Sequence, residues 1–481
     1  MSLKRLRIIL ETCWPPGLLV VIALLAVCRL SAQTVTVEAD VSDLVQPIVD
    51  QNAEQDQRLD DVEAMVRGQA DELAQLRAYV ETLTGVVPPD SDIPLPEPPT
   101  PDASEILLKV GDDPREAMLK AERDPAIRTI LVMPGVHRGV FGEWTRSDLT
   151  VRVVGNQKAT FLTDGRVPIW NIASYEVSRC TIKGIEFIAN TRKVGHPDFK
   201  GWTAQKGVSW LARGQDITFE DCTFDSFSFG VVVYNVRGFT LRRVNVLDSW
   251  TDPNGGEPGK QLHSQGIYAD NVDGLLIESC LFDGNGWNPD AAKYGSKRTK
   301  FNHNLYIQSN CNNVVVIDNV LARASSHNCQ LRSGGVFEGN DLYRGGFGMY
   351  SPNGSVRNNR VWGTENLDRG TSPNGIMIQA PRRGHPDDRV IVEGNFVAEN
   401  VGPNTWDGGI HVGWTRSRGD GRGEARNNVV VKWRDTGITK RENLLVDVGN
   451  VVLSDYTDEY PSPQQDIEAK IAAFRTRGVF E

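Results

Sequence analysis

From about residue 177 one short arrangement of apolar and polar positions recurs: apolar, two polar, a small or amide residue, any residue, apolar. It reads IKGIEF, FEDCTF, LRRVNV, IESCLF, VIDNVL, FEGNDL, VRNNRV, VEGNFV and ARNNVV. The fourth position is held by Ile185, Cys222, Val244, Cys280, Asn319, Asn340, Asn359, Asn395 and Asn428. Between copies lies a second apolar strand, usually led by Gly or Asn, as in GVVVYN, GIYADN, NLYIQS, NCQLRS, FGMYSP, GIMIQA and GIHVGW. The shortest separations between fourth positions are 19 (Asn340 to Asn359), 21 (Asn319 to Asn340) and 22 residues (Cys222 to Val244). A basal period near 20 with variable insertions predicts a solenoid of short coils, each too small to bury its own face alone. An amide inside an apolar pattern needs a partner. Asn319, Asn340 and Asn359 are therefore expected to point inward and stack from coil to coil.

Before the repeat the pattern changes. Val45 to Leu83 carries apolar residues at alternating three-four spacing, a heptad seam that predicts a coiled coil over 44–83. Asn52, Gln55 and Gln69 in the seam would set register and oligomer number, dimer or trimer. Residues 85–105 are rich in proline and read as an extended spacer. DDPREAMLKAERD then predicts a short helix that caps the open end of the solenoid. Lys4, Arg5 and Arg7 precede a twelve-residue apolar run, Gly17 to Cys28, which reads as an export signal ending near Ala32, or as an uncleaved anchor. The expected organisation is a signal (1–32), a stalk (43–84), a linker (85–105), the solenoid with its cap helix (106–456) and a helical tail (457–481). A secreted or envelope location follows, with a virion as the alternative.

Charge narrows the partners. The formal net charge is −10, against the basic surface that nucleic-acid binding requires. Seven cysteines occur without a CxxC pair or zinc spacing. Those inside the solenoid follow its repeat, so buried free thiols are expected. No metal site is recognisable.

This repeat resembles the pectate-lyase-like superfamily over about residues 106–455. That resemblance implies an all-β, right-handed parallel β-helix, here preceded by an α-helical coiled-coil stalk, acting on a polysaccharide. IQSNCNNVVVIDN followed by QLRSGGVFEGN is similar to paired coils of chondroitinase-B-like and alginate lyases. The likeness implies that Arg332 is the cation of such a site, while Gln308 stands where those enzymes carry a lysine base. Ca²⁺ is implied only by the family resemblance. A stalk followed by a β-helix also resembles phage tailspikes, which are trimers.

Strand alternation sorts the side chains of the second strand into two outward columns. One runs Val232, Tyr268, Tyr306, Gln330, Gly348, Met377, His411; the other runs Tyr234, Asp270, Gln308, Arg332, Tyr350, Gln379, Gly413. Aromatic faces suit sugar rings, and amides and Arg suit hydroxyls and carboxylates. Insertions carrying Trp202, Trp250, Trp287, Trp406 and the basic run at 293–300 would wall this face. His303 and His327 stand at matching positions before two central strands, either as functional groups or as turn residues shaping the corner. The catalytic candidates are His303, Tyr306, His327 and Arg332. The binding candidates are Tyr268, Asp270, Gln308, Gln330, Tyr350, Gln379, His411 and Trp287. Two functions fit: a lyase or glycosidase acting on an acidic polysaccharide, and a non-catalytic glycan-binding fibre or adhesin.

Overall fold

The computed structural model describes residues 98–478 except 172–175, 202–205, 211–212, 252–262, 289–297, 352, 366–374, 380–388, 402–407, 413–421, 434–436 and 441–443. The export segment, the heptad and most of the proline-rich spacer lie outside the described residues, as do Trp202, Trp406 and Trp414.

Three strands per coil build three sheets of 13, 12 and 11 strands, and every pairing is parallel. The chain is thus a parallel β-helix. Each coil visits the first sheet (for example Asp273–Glu278), the second (Leu281–Asp283) and the third (Leu305–Ile307) before returning to the first.

The repeat motif is the corner between the first and second sheets. Its third position turns the chain through the left-handed region: Ser279, Asp318, Gly339, Asn358, Gly394 and Asn427 all have φ between 50° and 67°. Gly, Asn and Asp tolerate that conformation best. The next residue then points into the core. Asn319 donates through both its backbone N–H and its Nδ2 to Asn340 Oδ1, at 3.0 and 2.9 Å. Asn340 does the same to Asn359, Asn359 to Asn395, Asn395 to Asn428 and Asn428 to Asn450. Each Nδ2 also reaches a main-chain carbonyl of the coil before it, as Asn359 does to Phe337 at 3.0 Å. Both amide protons and the acceptor oxygen are satisfied, so the polar column lies in an apolar core without orphaned groups. Cys222, Val244 and Cys280 extend the column as small apolar groups, fully buried. All five described cysteines are free and buried; desolvation pushes the Cys222 thiol up to about 12.

Two helices flank the stack. Helix α1 (Pro114–Arg123) starts at Asp113, whose carboxylate accepts from Arg115 N at 2.9 Å. It buries Ala117, Met118 and Ala121 in the same core cluster as Ile106 and Ile130 of the first sheet. Helix α2 (Gln464–Thr476) lies along the outside of the second sheet. There Ile467 and Ile471 join Leu247, Leu281, Tyr343 and Trp362 in a second apolar cluster. Lys470 to Asp341 (2.7 Å) and Arg475 to Asp283 (2.6 Å) pin it to two buried carboxylates. The second sheet's outer face is thereby covered, and the third sheet's outer face is left to present side chains.

Candidate functional site

The third-sheet register places Val232, Tyr268, Tyr306, Gln330, Gly348, Met377 and His411 side by side on consecutive coils. Val232 and Met377 are nonetheless buried on this outer face. Along the corner that leads into the sheet runs a second amide ladder. Asn285 Nδ2 donates to Asn304 Oδ1 and Asn304 Nδ2 to Asn328 Oδ1, both at 2.9 Å. Each His-Asn dipeptide therefore splits its work. The Asn shapes the corner from inside, and alternation turns the preceding His to the other side, where His303 and His327 face a cavity.

That cavity, of about 590 Å³, is lined by Tyr234, Tyr268, Tyr306, Tyr350, His263, His303, His327, Gln265, Gln308, Gln330 and Gln379, with Lys300, Phe301, Arg332, Phe229 and Ser326. Its rings form a continuous run. Tyr234 and Tyr268 lie 5.4 Å apart between centroids, and Tyr268 and Tyr306 5.6 Å. His303 stacks on Tyr306 at 5.3 Å, neighbours His327 at 5.7 Å, and His327 meets Tyr350 edge-on at 6.4 Å. The Arg332 guanidinium lies 5.4 Å from the Tyr306 ring centre and its Nη1 is 3.5 Å from Gln308 Oε1. Gln308 Nε2 in turn donates to the Tyr268 hydroxyl at 3.1 Å. Gly348 is the gap in the outward column. A Cβ there would stand 3.0 Å from Tyr350 Cε2 and 3.4 Å from His327 Nε2, so its absence lets those two rings close together.

Electrostatics separate rim from floor. Arg332 and Lys300 are exposed, whereas His303 and His327 are buried. Desolvation holds His303 well below the ordinary imidazole range and pushes His327 down to about 4. Both are neutral at pH 7. Burial also raises the phenols of Tyr268 and Tyr350, and that of Tyr234 to about 12, so these hydroxyls keep their protons. Among the described residues no carboxylate lines the cavity. Such a donor set does not fit Ca²⁺, which takes six to eight oxygen ligands, many of them carboxylates. Among the described residues no three His, Cys, Asp or Glu side chains group as metal ligands.

Nine of the twelve candidate residues line this one cavity. Three do not. Asp270 stays on the face but behind the tyrosine run, its carboxylate accepting from the Tyr268 hydroxyl at 3.4 Å. His411 lies at the far end of the column, beyond Met377. Trp287 donates from Nε1 to the Arg323 carbonyl at 2.7 Å and carries Arg298 over its ring at 4.2 Å. Trp250, expected on the wall, is buried instead, with the Arg192 guanidinium over its ring at 4.8 Å. The wall residues Lys300 and Phe301 reach the site because Gln265 Nε2 donates to the Phe301 carbonyl at 2.8 Å. Gln265 Oε1 also accepts from the His303 N–H at 2.6 Å. Gln265 was not singled out from the sequence; its only signal is its place just before the Gly that opens the strand GIYAD.

No family profile matches the chain, and no curated protein matches it. Among solved structures it is similar to the catalytic domain of the GH87 alpha-1,3-glucanase in complex with nigerose, at 13% identity and TM-score 0.40 over 76% of this chain and 70% of that one. It is similar to the periplasmic alginate epimerase AlgG at 13% identity and TM-score 0.34, over 73% of this chain and 77% of that one. The Streptococcus pneumoniae surface protein and adhesin PfbA matches at 12% identity and TM-score 0.39, over 71% of this chain and 93% of that one.

Proposed function

We propose that this protein is exported, assembles through residues 44–83 as a dimer or trimer, and binds an acidic polysaccharide on the outer face of the third sheet, cleaving it by β-elimination. The observation that carries the reading is the composition of the cavity: aromatic rings, amides, two rim cations and two neutral histidines, with no carboxylate among its described lining residues. Hydrolysis of a glycosidic bond ordinarily uses a pair of carboxyl groups, which this lining does not supply. Elimination needs a base, an acid and a cation that neutralises the uronate carboxylate.

The residues divide accordingly. Arg332, with Lys300 beside the same cavity, binds the carboxylate and so acidifies the neighbouring C–H. His327, unprotonated at pH 7, takes that proton. The electron pair forms the C=C bond as the C–O bond to the leaving sugar breaks, and the phenol of Tyr306 or Tyr350 returns a proton to the leaving oxygen. Gln308, Gln330 and Gln379 bond ring hydroxyls.

One observation favours a second reading, a binding groove without turnover. Burial holds His327 at about 4, which makes it a weak base until a bound anion raises it. The deciding experiment incubates the protein with a panel of polyuronates and follows ultraviolet absorbance of an unsaturated product and reducing ends separately. Elimination gives both signals and hydrolysis only the second. Binding without either signal supports the adhesin reading, and no binding to any member of the panel refutes both.

A further inference from the structure

The two histidines of the cavity are not equivalent. A hydrogen bond between the His303 ring and the His327 backbone stabilises the protonated form of His303. Only a carbonyl has that effect, so the ring is the donor. His303 Nδ1 has no partner; the donating atom is therefore Nε2, and the neutral ring carries its proton there. Nδ1 is left as a bare lone pair in a residue that is 1% exposed and lines the cavity. The ring cannot rotate to a better partner. Its main chain is held by Gln265 at 2.6 Å, its face is stacked on Tyr306, and the next residue is locked into the inner amide ladder.

An unmatched buried acceptor costs about 1–3 kcal/mol, and a fold that fixes one in a binding cavity gains when a ligand donates to it. The ligand group must be a donor. A carboxylate or sulfate would face the lone pair with its own, and protonating His303 to receive it works against the burial that holds the ring neutral. The anionic groups of the ligand belong at the exposed rim, with Arg332 and Lys300.

We propose that His303 Nδ1 is a specificity-determining acceptor for a free sugar hydroxyl, so that the site takes acidic polysaccharides whose hydroxyls are unsubstituted and rejects their O-acylated or O-sulfated forms. This rests on the glycan-binding reading above. His303 is thereby assigned to recognition, and proton abstraction is left to His327. A site built to bond a hydroxyl discriminates strongly against ligands that lack it, because its buried partner is left unmatched.

The test takes the polyuronate that binds best in the panel and its chemically O-acetylated derivative of the same chain length. Binding is measured by calorimetry to wild type, His303→Phe and His303→Gln. Phe keeps a flat ring against Tyr306 without the lone pair; Gln restores an acceptor. Wild type is expected to prefer the free polymer at least tenfold, His303→Phe to bind both forms about equally, and His303→Gln to regain a preference. Equal binding of the two forms by wild type overturns the proposal while leaving the glycan reading intact. A preference that survives in a folded His303→Phe also overturns it. If thermal unfolding shows that Phe is not tolerated, the wild-type and Gln measurements decide alone. Failure of every unmodified polyuronate to bind wild type refutes the glycan reading, and the hydroxyl assignment with it.

Discussion

The imidazole rings of His303 and His327 lie 5.7 Å apart on consecutive coils, and burial keeps both of them uncharged at pH 7. Two neutral rings in contact do not repel, whereas two imidazolium ions there would.

Acid stability should expose this. His327 sits at about 4 in the folded protein, against about 6.5 in an unfolded chain. Between those values the unfolded state binds more protons, so stability rises with pH across the window and is lost as pH falls from about 6.5 toward 4. The loss for this one group comes to roughly 3 kcal/mol, and His303 adds to it in the same direction. Thermal unfolding at several pH values should show a steeper decline for wild type than for His327→Phe. Parallel profiles would mean that His327 is not held neutral.

Arg332→Ala should weaken glycan binding about ten- to hundredfold, the size expected for a lost charge-assisted hydrogen bond, and reduce any cleavage in step. Arg332 is exposed and its one printed bond, to Gln308, is long at 3.5 Å. The melting temperature should therefore stay within about a degree or two of wild type. Unchanged binding would move the centre of the groove toward His411.

Asn359→Ala should be far more damaging to the fold. It strips the acceptor used by Asn340 N and Asn340 Nδ2 and the donor used by Phe337 O and Asn395 Oδ1. Leaving several buried groups unmatched costs about 3 kcal/mol or more. Denaturant unfolding measures it, and a cost below 1 kcal/mol would mean that water replaces the amide.

Gly348→Ala places a methyl group 3.0 Å from Tyr350 Cε2. The Tyr350 ring should shift, with a cost of about 1 kcal/mol. If elimination occurs, turnover should fall more than affinity, because the His327–Tyr350 contact is disturbed and the rim is not. Equal effects on kcat and KM would assign Tyr350 to binding alone.

Removing α2 by truncation after residue 456 should destabilise the chain strongly. Arg475 and Lys470 leave Asp283 and Asp341, carboxylates 0% and 4% exposed, with only Arg323 and Arg360 as partners. The apolar outer face at Leu247, Tyr343 and Trp362 would also be bared. Loss of solubility or a markedly lower melting temperature is expected; a truncated chain that melts like the whole would show that the helix is an ornament.

Coil register was legible from Cys222 to Asn428 because one inward position repeats with a restricted set of residues. It was silent earlier in the chain, where the same column is continued by Gly135 and Ala159. Neither carries an amide, so nothing marks those coils in the sequence. Outward positions such as Tyr306, Gln330 and Arg332 followed from period-two alternation once one inward residue was known. The walls obey no period. Lys300 and Phe301 are placed by Gln265, a long-range tie, and Trp250 is drawn inward by Arg192 through main-chain carbonyls of Ser226 and Trp250. Contacts of that kind carry no local signature.

Because the amide column closes each coil onto the next in the same way, a coil can be as short as the 19 residues from Asn340 to Asn359. Duplication or loss of one such segment would lengthen or shorten the face by a single rung and leave every other rung in register. The segments between the second and third sheets can vary in length without altering that count. Within the gene, how far the face extends and what its walls accept are therefore written in separate stretches, and selection can act on one while the other stays as it is.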